Sequence, residues 1–284
     1  MNVILPTDTK TTKKQWIIYS IIILICIASM IIAYNVQFYG RINLFGLNNT
    51  ASFGSKTDDE ISNLEDNFNK VFTNSLDTAE DDYASKKQDA EKPLIYNKYK
   101  IKNSEPDNYD IDITIPYINI ESEIVDSYNE NIEKVFVEAC RRIVTTPKTN
   151  DIYQVSYSVS IEEGILSLMI QATLKEKDSP QRLVINTYNY DLRNNKAISL
   201  NEVLRIKALD SEKVQEKIDK TIKLKEQSSQ ALVSAGYTAF SRNVSDEMYK
   251  IENTTEFYLS NDSLYIMYPY GNKQITNEMD LIIF

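Results

Sequence analysis

The chain has no histidine, two cysteines, six glycines and a single tryptophan in 284 residues. Without histidine there is no Ser-His-Asp or Cys-His relay, no H-E-x-x-H zinc site and no histidine-ligated haem or copper. Two cysteines are too few for a thiolate cluster. Cys26 lies in an apolar run and Cys140 on an expected helix, so one chain has no internal disulfide to form. For a domain outside the cell, that points to a bacterium with a simple envelope. None of the glycines falls in G-x-x-x-x-G-K-[ST] or G-x-G-x-x-G, which argues against nucleotide binding. Basic residues are also short, 31 against 41 acidic, and a net charge of −10 repels phosphate backbones, so nucleic acid is not an expected partner. The residues that remain call for no cofactor and no metal.

What is present is tyrosine, 19 residues of it, in a chain that is 42% hydrophobic and long enough for one large domain or two small ones. Many half-buried strand surfaces follow from that composition. Residues 16–34, WIIYSIIILICIASMIIAY, carry no charge over 19 positions. At about 1.5 Å per residue they span roughly 28 Å, the depth of a bilayer's hydrocarbon core. Trp16, Tyr19 and Tyr34 stand toward the ends, where amphipathic rings favour the interface. The run is too long for a signal-peptide core and no A-x-A-like site follows it. Ile25 before Cys26 is too bulky for a lipid-attachment signal. Lys10, Lys13 and Lys14 against Asp8 give residues 1–15 a net +2, leaving −12 for the remainder. The positive-inside rule then expects residues 1–15 in the cytoplasm, a single span at 16–34 in the cell membrane, and the rest outside.

Residues 35–98 read as an acidic stalk. NNTASFGSKTDDE and DTAEDDYASKKQDAEKP flank one apolar patch, Ile61, Leu64, Phe68, Val71, Phe72 and Leu76 at helical spacing, with Thr57 and Glu60 as a capping box. Such a helix leans on the domain, pairs with a neighbour or takes a partner. The folded module is expected over 99–284. Tyr109, Ile111, Ile113 and Ile115 alternate as a strand, which Pro116 stops or places on an edge. Over 122–144 the period becomes helical, with Val125, Tyr128, Ile132, Phe136, Cys140 and Ile143 as one stripe to cover a sheet. Residues 153–161 and 165–175 form a hairpin about Glu162-Glu163-Gly164, and 183–190 adds a strand. Asn194-Asn195 makes a turn, and Ser199 or Asn201 caps a short helix. A longer helix over 210–235, with Val214, Ile218, Ile222 and Leu232 inward, ends at Gly236. Strands at 256–260 and 263–268 around Asn261-Asp262 and a last run at 281–284 close the chain. The expected class is α+β, a mainly antiparallel sheet covered by helices.

Two carboxylates alone can hydrolyse a glycosidic bond. Asp110 and Asp112 share a strand face near Asp107, but a solvated face explains them as well, and D-x-D here lacks the later acid and glycine of a calcium loop. Tyr265, Tyr268 and Tyr270 with Pro269 form either a recognition surface or sheet packing.

Several short motifs carry a resemblance. Tyr190-Asp191-Leu192 ends a strand, Arg193 to Lys196 form the turn, and Leu200-Asn201-Glu202-Val203-Leu204 starts a helix. An I-P-Y-I strand at 115–118 precedes a helix with an early Asn129 or Asn131, and FYLSNDSLYIMYPY at 257–270 makes a final hairpin. Over about 99–284 the chain resembles the extracytoplasmic sensor module of lysozyme-responsive anti-sigma factors, a pair of small domains also found on membrane-anchored peptidoglycan deacetylases. It departs from them in Asn for the usual turn glycine and in Gly271-Asn-Lys-Gln-Ile-Thr-Asn for A-P-Y-A-x-G. About 15 residues before the span are too few to grip a sigma factor. A deacetylase zinc site would require histidine.

The resemblance implies a sensor module alone on an anchor, binding a lysozyme-like protein or an envelope glycan without catalysis of its own. Tyr188, Tyr190, Tyr268, Pro269 and Tyr270 are the expected contacts, and Asp191 holds the turn. A histidine-free acid-pair hydrolase and a structural part of an envelope complex are the alternatives.

Overall fold

In a computed structural model the described residues are 56–75, 80–146, 150–260, 263–271 and 278–284, with backbone alone at 80–82. Chain contacts separate Met1–Ser52 from Phe53–Phe284, and the described residues belong to the second unit. The apolar run 16–34 lies outside them, as do Leu76, the turn at Asn261-Asp262 and residues 272–277. Among the described residues no helix is long and apolar enough to cross a membrane.

The architecture is α+β. Six strands form one sheet in chain order: β1 (Ile95–Glu105), β2 (Tyr109–Ile118), β3 (Asp151–Glu162), β4 (Ile165–Lys175), β5 (Arg182–Asp191) and β6 (Lys196–Ala197). All neighbours are antiparallel except β2 and β3, which run parallel because a helical crossover joins them in place of a tight turn. That crossover is α1 (Glu123–Ile132), a π-turn at Glu133–Val137 and α2 (Glu138–Thr145). Its stripe Val125, Ile132, Phe136, Cys140 and Ile143 packs on Ile111, Ile113 and Ile115 of β2 and on Tyr153, Tyr157 and Leu168. The π-turn breaks the regular backbone pairing, and Tyr153 Oη donates to the carbonyl of Phe136 at 3.0 Å. Asn129 Nδ2 and Oδ1 hydrogen-bond the carbonyl and amide of Ile118 (2.9 and 3.0 Å), tying α1 to the end of β2. Pro116 does not stop β2. The strand continues opposite an irregularity at Asn97/Tyr99, and its pairing with β3 ends at Ile113↔Val155, so the missing amide costs no ladder bond there.

The second layer contains α3 (Leu200–Ile206), α4 (Ser211–Ser234) and a three-stranded sheet of β7 (Phe257–Ser260), β8 (Ser263–Pro269) and β9 (Met279–Ile283). Ser199 supplies the cap of α3 in a full capping box with Glu202. Val214, Ile218 and Ile222 of α4 are buried, but Leu232 is 49% exposed, because the last turns of the helix extend past the core they would cover. β7 is an edge strand, and its free side is satisfied by side chains of the large sheet. Ser160 Oγ donates to the carbonyl of Leu259, Asn189 Nδ2 to that of Phe257, while Ser167 Oγ and Thr187 Oγ1 accept from the amides of Leu259 and Phe257. Hydroxyls and amides thus cover an edge that would otherwise pair with another chain.

The boundary between stalk and module moves. The helix Asp58–Asp66 has the Thr57–Glu60 capping box and runs into a 3-10 turn at Phe68–Val71. Phe68 is 5% exposed, in a core with Tyr258, Tyr265, Met267 and Ile283, and Ile61, Leu64, Val71 and Phe72 pack around it. Asn74, in the left-handed region at φ 57°, pairs with Tyr157 through its backbone amide (3.0 Å) and its Oδ1 (2.8 Å). β1 begins at Ile95, inside the expected stalk. Residues 56–75 and 80–98 are therefore part of the folded body, because their apolar face has a sheet edge to bury against.

Candidate ligand-binding groove

The tyrosines expected to touch a ligand lie in the interior, in two separate cores. Tyr188 is 5% exposed, donates to Asn131 Oδ1 at 2.7 Å and packs its ring against Tyr128. Tyr190 is fully buried in the same core, and its hydroxyl has no partner among the described residues. Tyr268 and Tyr270 belong to the second core. Tyr268 shares a hydrogen bond with Thr254 (3.1 Å), and burial pushes its phenol up to about 12. Pro269, the last residue of β8, is half-buried. In this conformation the four rings are packing, not contact surface, since period-2 alternation turns Tyr188 and Tyr190 onto the helix-covered face.

Asp191 closes the corner after β5. Its Oδ1 accepts from the amides of Arg193 (2.9 Å) and Asn194 (3.0 Å), and its Oδ2 from Asn194 Nδ2 (2.7 Å). Burial works to raise this carboxyl, but these hydrogen bonds outweigh it and hold the group below the usual carboxylate range.

A second polar cluster is internally saturated. Arg242 grips Asp280 through Nε (2.6 Å) and Nη2 (3.0 Å), and also donates to Ser229 and Glu278. Tyr270 Oη donates to Asp280 Oδ2 (2.9 Å) and shares a hydrogen bond with Tyr249 (2.8 Å), while its ring stacks on Phe240 at 4.1 Å. Burial opposes the Arg242 charge, and the Asp280 carboxylate more than restores it. The cluster ties β9 to the segment after α4 and leaves little capacity for a ligand.

Asp110 and Asp112 stand exposed on an open strand face, Asp112 paired with Lys102 at 2.8 Å. Among the described residues no group of three acids or cysteines is placed to hold a metal ion.

Unused hydrogen-bonding capacity collects elsewhere. An open groove of about 500 Å³ lies on the face of the large sheet opposite the crossover helices. Its floor is Ser156 of β3, Gln171 and Thr173 of β4, and Gln181 and Leu183 at the start of β5. Phe68, Asn69 and Phe72 form one wall, Met279 and Leu281 of β9 another, and the exposed Glu65 and Lys225 stand at the rim. Phe68 and Phe72 meet edge to face at 5.5 Å, so the aromatic wall is fixed. The side chains of Ser156, Gln171, Thr173, Gln181 and Asn69 make no hydrogen bond among the described residues. Gly271, at the end of Y-P-Y-G, lies against the groove's Leu183: a Cβ there would meet the Leu183 carbonyl at 2.5 Å, so only glycine permits this approach. A neutral, polar floor beside an apolar wall suits an uncharged ligand rich in hydroxyl and amide groups.

Sequence reasoning missed these residues by following only the apolar phase of each strand. The other phase carried the signal. Gln154, Ser156, Ser158 and Ser160 on β3, and Ser167, Gln171 and Thr173 on β4, give two adjacent strands a neutral polar face where a solvated face is ordinarily charged.

No protein-family model matches the sequence, and no curated protein matches it. Among solved structures the chain is similar to a DUF3298 family protein from Pseudomonas aeruginosa PAO1, at 13% identity and a TM-score of 0.35, over 62% of this chain and 80% of that one. It is also similar to a member of the DUF3298 family from Bacteroides fragilis NCTC 9343, at 12% identity and a TM-score of 0.37, over 61% of this chain and 82% of that one. DUF3298 is a domain of unknown function, and neither likeness bears on what this protein binds.

Proposed function

We propose that the protein is a binding module displayed outside the cell on the 16–34 span, which holds a neutral envelope glycan in the groove and performs no catalysis on it. The observation that supports this most directly is the set of five unpaired neutral side chains, Asn69, Ser156, Gln171, Thr173 and Gln181, beside Phe68 and Phe72. Amides and hydroxyls match sugar hydroxyls and N-acetyl groups in both donor and acceptor sense. Phe72, the half-buried ring of the wall, offers its apolar surface to a pyranose, and Phe68 is buried behind it as the ring that fixes its position. Titration of the detergent-solubilised chain with N,N′-diacetylchitobiose tests the reading by calorimetry or tyrosine fluorescence. Saturable binding is expected, weakened about 3- to 30-fold by Gln171→Leu, which leaves ligand groups unpaired. No saturable signal at millimolar sugar refutes it.

A lysozyme-like protein is the second reading, favoured by a different surface. Asp126, Glu130, Glu133 and Glu138 outnumber Lys98 and Lys134 in the lining of another open groove of about 500 Å³ along the crossover helices, although Glu133 is already paired with Lys98 and Arg141. An acidic face of this kind speeds capture of a basic partner at low salt. Retention of lysozyme on the immobilised chain at low ionic strength, lost with Asp126→Asn/Glu130→Gln, supports it, and no retention at any salt concentration removes it.

A further inference from the structure

The groove opens onto a bare part of the same sheet face. Strand register places Leu183 opposite Thr173, Thr173 opposite Gln154, Gln154 opposite Asp112 and Asp112 opposite Lys102. These five side chains form one row across β5, β4, β3, β2 and β1, and the first two already belong to the groove. With strands roughly 4.8 Å apart, the row is about 19 Å long. Gln154, Asp112 and Lys102 are exposed, and the Gln154 amide has no hydrogen-bond partner among the described residues. The small sheet does not reach here. Its hydrogen bonds to the large sheet fall at Ser158, Ser160, Ser167 and Asn189, and its apolar packing reaches only the groove end of the row, around Leu183.

Resting on the glycan reading of the groove, we infer that the ligand is a linear polysaccharide lying along this row, with its end in the groove and its next units over Gln154 and the Lys102–Asp112 pair. The spacing supports this, because one strand separation is close to the advance of one pyranose unit in an extended β-linked chain. A planar amide and a carboxylate–ammonium pair also offer paired donors and acceptors suited to neighbouring sugar hydroxyls. An extended peptide fits the row less well. It would bind by adding to an open strand edge, whereas β3 and β4 are flanked by strands along this row and present only side chains.

The test is length dependence. The full chain in detergent is titrated with β-1,4-linked N-acetylglucosamine oligomers from dimer to hexamer. Kd is expected to fall with each added unit and level off near the pentamer, the length of the row. Gln154→Ala, at an exposed position, is expected to raise Kd for the hexamer about 3- to 10-fold and leave the dimer unchanged. Lys102→Ala should act only on the pentamer and hexamer. Equal Kd for dimer and hexamer, or a Gln154→Ala effect that is absent or the same at every length, overturns the extended site while leaving the groove standing. Binding of none of the oligomers overturns both.

Discussion

Replacing Phe68 by alanine separates a folded-body segment from a solvated stalk. The ring is 5% exposed, sits 5.5 Å from Phe72 and 6.0 Å from Tyr265, and belongs to the core of Tyr258, Met267 and Ile283. A buried phenylalanine removes about 150 Å² or more from water, worth roughly 4 kcal/mol at 25 cal/mol per Å². Core Phe→Ala changes, which combine lost transfer energy with a residual cavity, cost about 3–5 kcal/mol. With a urea slope of about 3 kcal/mol per molar, the midpoint should drop by about 1 to 1.7 M. Near-ultraviolet circular dichroism of the chain in detergent follows the transition, since the surrounding tyrosines report tertiary packing. Leu224→Ala is the control: that side chain is 54% exposed, and its loss should stay within about 0.5 kcal/mol. If Phe68→Ala moves the midpoint no more than the control does, residues 56–75 are not part of the body and the groove has lost a wall.

Asp280→Asn removes the charge that Arg242 grips while keeping the shape, leaving a nearly buried guanidinium short of its main partner, so a loss of about 3–5 kcal/mol is expected by the same unfolding assay. A loss under about 1 kcal/mol would show that Glu278 alone compensates. Glu256 accepts from the amide of Thr187 at 2.6 Å, and burial holds its carboxyl above the ordinary range despite that bond. An acid with a raised folded-state pKa binds its proton more tightly when folded, so its contribution is most favourable below about pH 4 and worsens as pH rises through the folded value. Glu256→Gln should therefore raise the urea midpoint at pH 7 and lose that advantage near pH 4. A variant less stable than the parent at pH 7 would contradict the sign.

Local pattern carried most of the second structural level. Alternation in Tyr109–Ile115 and Tyr153–Ile161 became strands, the stripe from Val125 to Ile143 became the crossover helix, and Thr57 with Glu60 formed the capping box of the helix that starts at Asp58. These signals are local: a strand shows its period within a few residues and a cap within four. The acidic segment around Phe68 read as a stalk because its composition is polar. Only the tertiary structure supplied the apolar seat that makes Ile61, Leu64, Phe68, Val71 and Phe72 worth burying. The Tyr-Asp-Leu corner was legible as a turn, since Asp191 acts on amides two and three residues ahead.

By itself the sequence determined the chemistry that is missing and the α+β sequence of elements, because residue inventory and short-range period are written along one dimension. Which tyrosines face inward, how β7 finds hydrogen-bond partners on another sheet, and that Gln154, Thr173 and Asp112 stand in one row were decided by register between strands distant in the chain. A one-residue slip in that register would turn every one of those side chains to the other face.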